Sequence, residues 1–449
     1  MTETPSYQHD TRKSRDAYEQ ARHIIPGGVQ GNIKFYQPYP LSFATANGPW
    51  LHDIDGNAYV DYLLSFGALI LGHGHPVVRT AVQDVWNIYG TSSFGVPYPL
   101  EQTMAAVIQR LYESVKQVRF TNSGLEATLL AIRIGMAYTG RPSIAKFSGH
   151  YHGGHEQVLV STKATVSDGR EPQKVAESLR LPDYFIDHTE ILPFNDIEGC
   201  SHILRKNKDK IGVVILEPFQ NGYIPAEREF ILQLRELTTE LGMVLVFDEV
   251  KTGFRIRLGG AQEFYGVLPD LTALGKVLGG GFPIGAVGGK KEILELMAPG
   301  HSDNPQEVVF HSGTFNGNPI SLLAGLRTIE HLQEAGNFES LLNTTKQLRD
   351  GIESLAKAYQ LPVQTVGEGA IFNVVFTDSS LPVQPRNMVK QELSQQHRQL
   401  RGQLDFLLMR HGVFSKPYNR FSVSLSHDDA AIQVTLDAFE KSFAALKKM

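Results

Sequence analysis

Met243-Val-Leu-Val-Phe-Asp-Glu249 and Asp270-Leu-Thr-Ala-Leu-Gly-Lys-Val-Leu-Gly-Gly-Gly-Phe-Pro-Ile-Gly-Ala286 are the two stretches on which the fold of this chain is decided. In the first, five apolar residues run directly into Asp248 and Glu249. In the second, a shorter apolar run leads through Gly275 to Lys276 and then to Gly279-Gly280-Gly281. Each reads as a buried strand whose carboxyl end presents a charged side chain.

Outward from these two runs the same pattern repeats. Apolar, strand-like segments at 118–121, 144–147, 211–216, 243–247, 271–274 and 286–288 alternate with helical segments from Pro76 onward. That alternation predicts an α/β fold with a mostly parallel sheet sandwiched by helices. Before it, residues 11–25 read as a short helix, and 41–62 as an antiparallel meander turning at Asp53-Ile54-Asp55-Gly56-Asn57. After it, helices are expected at 319–334, 341–359, 391–411 and 428–448, with strands at 370–376 and 420–425, which together read as a smaller mixed domain. The loop-like stretch 163–187 reads as either an active-site cover or a surface excursion.

The composition narrows the class of function. The 449 residues are 42% hydrophobic and 20% charged, enough for two or three domains with sizeable cores. A net charge of −5 without like-charge blocks gives no footprint for nucleic acid or an anionic membrane, so small molecules are the expected partners. Cys200 is the single cysteine, which excludes an internal disulfide and fits a reducing, cytoplasmic setting. Residues 1–22 lack the apolar core of a secretory signal, and no apolar run approaches the ~20 residues of a membrane span.

In a sheet of this kind ligands collect at the carboxyl ends of the strands. Thr121-Asn122-Ser123-Gly124-Leu125-Glu126 ends one strand and opens a helix, where a hydroxyl and free N–H groups would suit a phosphate, or where Ser123 is simply an N-cap. Tyr151, in Gly149-His150-Tyr151-His152-Gly153-Gly154, follows another strand and could stack on a flat ring. His150, His152 and His155 lack matching ligand spacing, so no metal is expected. Glu217 follows 211–216 directly and would contact a ligand, hold Lys276, or bond turn amides.

Lys276 and Asp248 sharpen the reading. A lysine between an apolar run and a triple glycine is poorly placed for a solvated charge and well placed for a Schiff base; its other reading is a snorkelling lysine at a helix start. A carboxylate buried at a strand end needs a partner, and a protonated pyridine nitrogen supplies charge and hydrogen bond together. The pair reads as a site for pyridoxal 5'-phosphate. Gly279-Gly280-Gly281 does not form Gly-x-Gly-x-x-Gly, and no phosphate-loop motif occurs, so a nucleotide-binding protein is the weaker reading.

With these residues in hand, the chain resembles the class III, fold-type I pyridoxal phosphate aminotransferases, in the branch that contains glutamate-1-semialdehyde 2,1-aminomutase. The matching segments include Pro26-Gly27-Gly28-Val29, Gly72-His73-Gly74-His75-Pro76, Asn122-Ser123-Gly124, Tyr151-His152-Gly153, Glu217-Pro218, Asp248-Glu249-Val250, Thr252-Gly253-Phe254-Arg255 and Gly275-Lys276. The resemblance implies that Lys276 forms the Schiff base, Asp248 pairs with the ring nitrogen, Tyr151 stacks, and Ser123 with Gly124 holds the phosphate. It implies further that Thr314 reaches the cofactor phosphate of a partner subunit in a homodimer with shared active sites. It makes residues 76–318 the large cofactor domain, with 1–75 and 319–449 forming the smaller α+β domain.

The departures bear on the substrate. Lys34 stands where the aminomutase has an arginine, so a carboxylate there would meet a point charge rather than a bidentate fork; Lys34 reads equally as a surface lysine. Leu125 replaces the usual threonine after Ser-Gly, losing a hydroxyl and keeping the N–H. An aminotransferase moving an amino group from an α- or β-amino acid to an oxo acid or aldehyde is therefore expected ahead of the aminomutase or a racemase.

Overall fold

The computed structural model describes residues 10–163, 172–377 and 395–448. Its centre is a seven-stranded sheet in the order Gln117–Thr121, Gly285–Gly289, Leu271–Gly275, Val244–Asp248, Ile211–Leu216, Ser143–Phe147 and Thr189–Leu192. All strands run the same way except Gly285–Gly289, which is antiparallel to both neighbours. The two central strands are buried throughout, and their alternate residues feed two cores. Val213, Ile215, Val244 and Val246 pack under the helix Gly124–Thr139, while Val214, Leu216, Leu245 and Phe247 pack with Phe230, Leu234 and Cys200 on the other face. A strand covered on both faces has no polar alternation, which is why these runs read as continuous apolar segments.

The remaining elements come from both ends of the chain. Phe43–Asn47, Trp50–Asp53 and Ala58–Asp61 form the expected meander, and Val413–Phe414 joins its open edge in parallel, pairing Val413 with Val60. A second sheet of Val363–Glu368, Ile371–Phe376 and Phe421–Ser422 lies with the helices Asn337–Ala358, Gln395–Arg410 and Asp429–Leu446. One core runs from Val60 and Tyr62 through Phe421 and Phe439 to Met104 and Leu278. No helix among the described residues is long and apolar enough to cross a membrane.

Several elements differ from the expectation. Thr189–Leu192, Val363–Glu368 and Val413–Phe414 were not anticipated: the first is a short edge strand, the second carries Gly367, and the third is too short to have a period. The first helix is confined to Arg12–Ala21, and the last turn of the expected segment unwinds into Pro26 and Gly27. Of the loop 163–187, residues 164–171 lie outside the described residues; beyond them Ala176 bridges Val160 and Asp183–Asp187 is helical. The expected helix 391–411 is described from Gln395 onward.

Candidate active site

The carboxyl ends of the central strands open into a cavity of about 900 Å3. Lys276, Asp248, Glu217 and Tyr151 line it together with Gly124 and Leu125 at the head of the helix Gly124–Thr139. The opposite wall is built from the chain ends: Ile33, Phe35, Tyr36 and Phe66 from the first, Phe406 and residues 416–420 from the last.

Lys276 follows the strand Leu271–Gly275 with φ +48, a left-handed conformation that costs roughly 1–3 kcal/mol and turns the residue off the strand end. Burial pulls its ammonium pKa down from 10.5 to about 8; the Asp248 carboxylate opposes that shift, and Arg420 adds to it. The amine thus reaches its neutral form, the one that attacks a carbonyl, at far lower pH than a solvated lysine does. Asp248 is buried; its Oδ1 accepts the Val250 N–H at 3.0 Å and its Oδ2 lies 2.8 Å from His152 Nδ1. A carboxylate only accepts, so Nδ1 of His152 carries the proton and fixes the orientation of Asp248.

Glu217 is held by two backbone donors, Tyr151 N and Asn221 N, each 3.2 Å from Oε2. Burial raises its pKa, with His152 pulling down and Asp248 pushing up. Its own N–H donates to His150 Nδ1 at 3.0 Å, which places the His150 proton on Nε2, and burial holds that ring well below the usual histidine range. Glu217 thus bonds turn amides and faces the cavity at once. Tyr151 is about half exposed, its ring open to the cavity.

Ser123 is the N-cap of Gly124–Thr139: its hydroxyl accepts the Glu126 N–H at 3.2 Å, while Glu126 accepts the Asn122 N–H at 2.7 Å. Gly124 has no room for a side chain, since a Cβ would lie 2.6 Å from Cγ1 of Val250. The closeness of Val250, two residues past Asp248, brings the helix head against the strand end that carries the carboxylate. The first amides of the helix are left for a ligand at its positive end.

Three expected residues are not part of the cavity lining: Ser123, which caps the helix that Gly124 opens, and, farther off, Thr314 and Lys34. Thr314 is exposed in a separate depression of about 780 Å3 that it shares with Phe94, Val96 and His311. The two sites are nevertheless linked, because Asn122 Nδ2 donates to Asn316 Oδ1 at 2.8 Å. Lys34 is exposed, and its neighbours Ile33 and Phe35 line the cavity instead.

Residues that the sequence did not single out are also present. Arg420 lines the cavity, its Nε buried without a hydrogen-bond partner among the described residues, and burial lowers its pKa. Lys251, three residues past Asp248, is buried and also lines the cavity. His152 was weighed only as a metal ligand; its place beside Asp248 depends on two strand ends meeting, for which the Tyr-His-Gly stretch was the available signal. Arg420 had no local signal, since only the return of the distant chain brings it here.

Comparison with known proteins follows the same lines. Residues 34–441 match the family model for Aminotransferase class-III. A glutamate-1-semialdehyde 2,1-aminomutase of Thermodesulfovibrio yellowstonii is 38% identical over 444 residues, 97% of this chain and 100% of the relative. The enzyme of that name from Archaeoglobus fulgidus is 36% identical over 434 residues, 96% of this chain and 99% of the relative. The crystal structure of an omega-transaminase from Sphaerobacter thermophilus superposes with a TM-score of 0.90 at 35% identity, covering 96% of this chain and 97% of its own. With a lysine, a histidine-held carboxylate and a helix head around one cavity, and with matches over nearly its full length, the chain belongs to the class III aminotransferases.

Proposed function

We propose that this enzyme transfers an amino group between two molecules, from a carboxylate-bearing α- or β-amino acid to an oxo acid or aldehyde, using pyridoxal 5'-phosphate. The observation that carries the substrate class is Arg420, a buried guanidinium that lines the cavity of Lys276 and has no ion pair among the described residues. A buried guanidinium without a paired anion is costly, and a substrate carboxylate in the cavity is the anion that would pair with it.

The residues present fit the cofactor: an amine with a pKa of about 8, a buried carboxylate held by a histidine, and a glycine-headed helix share one cavity. When bound, pyridoxal phosphate supplies an electron sink for the bond broken at the amino-bearing carbon. Lys276 Nζ would hold the cofactor and is the amine placed to move a proton at that carbon. Asp248, oriented by His152, holds the proton of the ring nitrogen. Ser123, Gly124 and the N–H of Leu125 would hold the phosphate, Tyr151 would stack on the ring, and Glu217 would bond its polar groups. Lys34 is at most a weak anchor at the rim.

A homodimer completes the reading. Thr314 is exposed beside Phe310 and Phe315, themselves largely exposed, and Phe94 and Val96 add apolar surface to the same depression. A second copy would cover that surface, and Thr314 would reach the partner's phosphate site. Mixing Lys276→Ala chains with Thr314→Ala chains tests this, because sharing regenerates one intact site per mixed dimer. We assign 76–318 to the cofactor domain and 1–75 with 319–449 to the smaller one, supported by the pairing of Val413 with Val60. The cytoplasm is our assignment from the lone cysteine.

Aminomutase activity is the second reading, favoured by the name that both curated relatives carry. Turnover separates the two. The aminotransferase converts an amino acid beyond one equivalent only when an oxo acid is added, whereas the aminomutase turns over glutamate-1-semialdehyde alone.

A further inference from the structure

Leu64, Ser65, Phe66 and Gly67 have φ of +46, +52, +57 and +87, so the chain makes a left-handed turn in which three residues carry a Cβ. L-residues resist this conformation, and consecutive ones persist only where their surroundings over-determine them. At the start of the turn, Asp61 accepts the N–H groups of Leu63 and Leu64 at 2.8 and 3.1 Å. At its end, the Phe66 carbonyl accepts from Lys251 Nζ at 2.8 Å and the Gly67 carbonyl from Arg255 Nη2 at 2.6 Å.

Both cations lie just past Asp248, on the same stretch. Arg255 is fully buried and also donates to the carbonyls of Ala370 and Val423, which makes it a general tie between segments. Lys251 has a narrower task. Its stem runs so close over Gly222 that a Cβ there would lie 2.5 Å from Lys251 Cγ, and its side-chain hydrogen bond among the described residues ends on Phe66. Burial next to Arg420, Lys276 and Arg255 pushes its pKa well down, so a lysine is an expensive side chain to keep at this place. Phe66 in turn lines the cavity.

We propose that Lys251 is a positioning residue that clamps the left-handed turn Leu64–Gly67, fixing Phe66 as a wall that limits the size of the group bound beside Lys276. The assignment rests on the functional reading above, in that the cavity is taken as the site of cofactor and substrate.

Two measurements on the purified holoenzyme test it. Hydrogen–deuterium exchange reads the clamp without reference to activity: Lys251→Met should exchange faster at residues 64–69, with the rest of the chain unchanged. Faster exchange throughout, or none at the turn, overturns the proposal. The wall is read by the loss of cofactor absorbance on adding methoxyamine or O-benzylhydroxylamine, a small and a large reagent for the same carbonyl carbon. The large-to-small rate ratio should rise at least threefold in Lys251→Met and in Phe66→Ala, and the double variant should gain little more than either. An unchanged ratio, or gains that multiply, overturns it. If Lys251→Met does not fold, Lys251→Gln is read the same way. A wild-type protein lacking any methoxyamine-sensitive absorbance would instead defeat the cofactor reading, while the exchange result still decides the clamp.

Discussion

The two walls of the cavity are built in different ways. One is made of strand ends from a single sheet: Asp248, Glu217 and Lys276 each sit at the close of a buried strand, and Gly124 heads the helix packed on those strands. The other is made of segments from opposite ends of the chain, with Phe35 and Phe66 from the first and Phe406 and Arg420 from the last. Strand ends in one sheet are fixed relative to each other by backbone pairing, which suits groups that must meet a reacting atom within a fraction of an ångström. Segments from two chain ends are held by side-chain ties and packing rather than by one shared ladder, as the turn of Phe66 is by Lys251, so single substitutions can reshape this wall while the chemistry opposite stays as it is. The difference teaches that reaction and selectivity are carried by separable parts of the molecule.

The largest test of that division is Lys276→Ala. Removing the amine should cost at least ~10²–10⁴ in kcat for every substrate, whatever its size or charge, as expected for a positioned acid–base group. In the apoprotein, the rate of cofactor capture should climb with pH through about 8, the range in which this buried amine loses its proton. Capture that climbs only near 10.5 would show an ordinarily solvated lysine. Asp248→Asn should come next, lowering kcat by ~10²-fold or more across all donors, because the ring-nitrogen proton loses its charged partner. Steady-state kinetics on a set of donors would reveal any selectivity in either loss, and selectivity there would blur the division.

Substitutions on the opposite wall should act by substrate. Arg420→Ala should raise KM for carboxylate donors by ~10–150-fold, the ~1.5–3 kcal/mol of a hydrogen bond to a charged group, and leave simple amines within a small factor. An equal loss for both donor types would place Arg420 in the chemistry rather than in recognition. The smallest effect belongs to Lys34→Ala: an exposed charge is worth ~0.2–1 kcal/mol, so KM for the same donors should rise at most about fivefold. A larger increase would bring Lys34 from the rim into the site.

What could be read from the sequence follows the same line between the walls. Asp248, Lys276 and Glu217 were visible because a strand buried on both faces is a continuous apolar run, and its end is marked by the first charge after it. The helix head at Ser123-Gly124 was visible because capping is local. Arg420 and Phe66 were not, since their places are set by long-range packing with no local period. The same holds for Val413–Phe414, a two-residue strand that exists only because Ala58–Asp61 offers it an edge.

That pairing carries a cost in time. Tyr62 and Thr435, whose hydroxyls meet at 2.8 Å in the core, are separated by 373 positions in sequence. At ~5–20 residues per second of synthesis, the N-terminal meander waits tens of seconds for the strand that completes it. Throughout that interval the outer edge of Ala58–Asp61 is an open row of peptide groups, the kind of surface on which nascent chains stick to one another. The segment 413–420, made roughly 350 residues after that edge, thus both shields the first sheet and delivers Arg420, so a chain that stops before it has an exposed sheet edge and half a cavity.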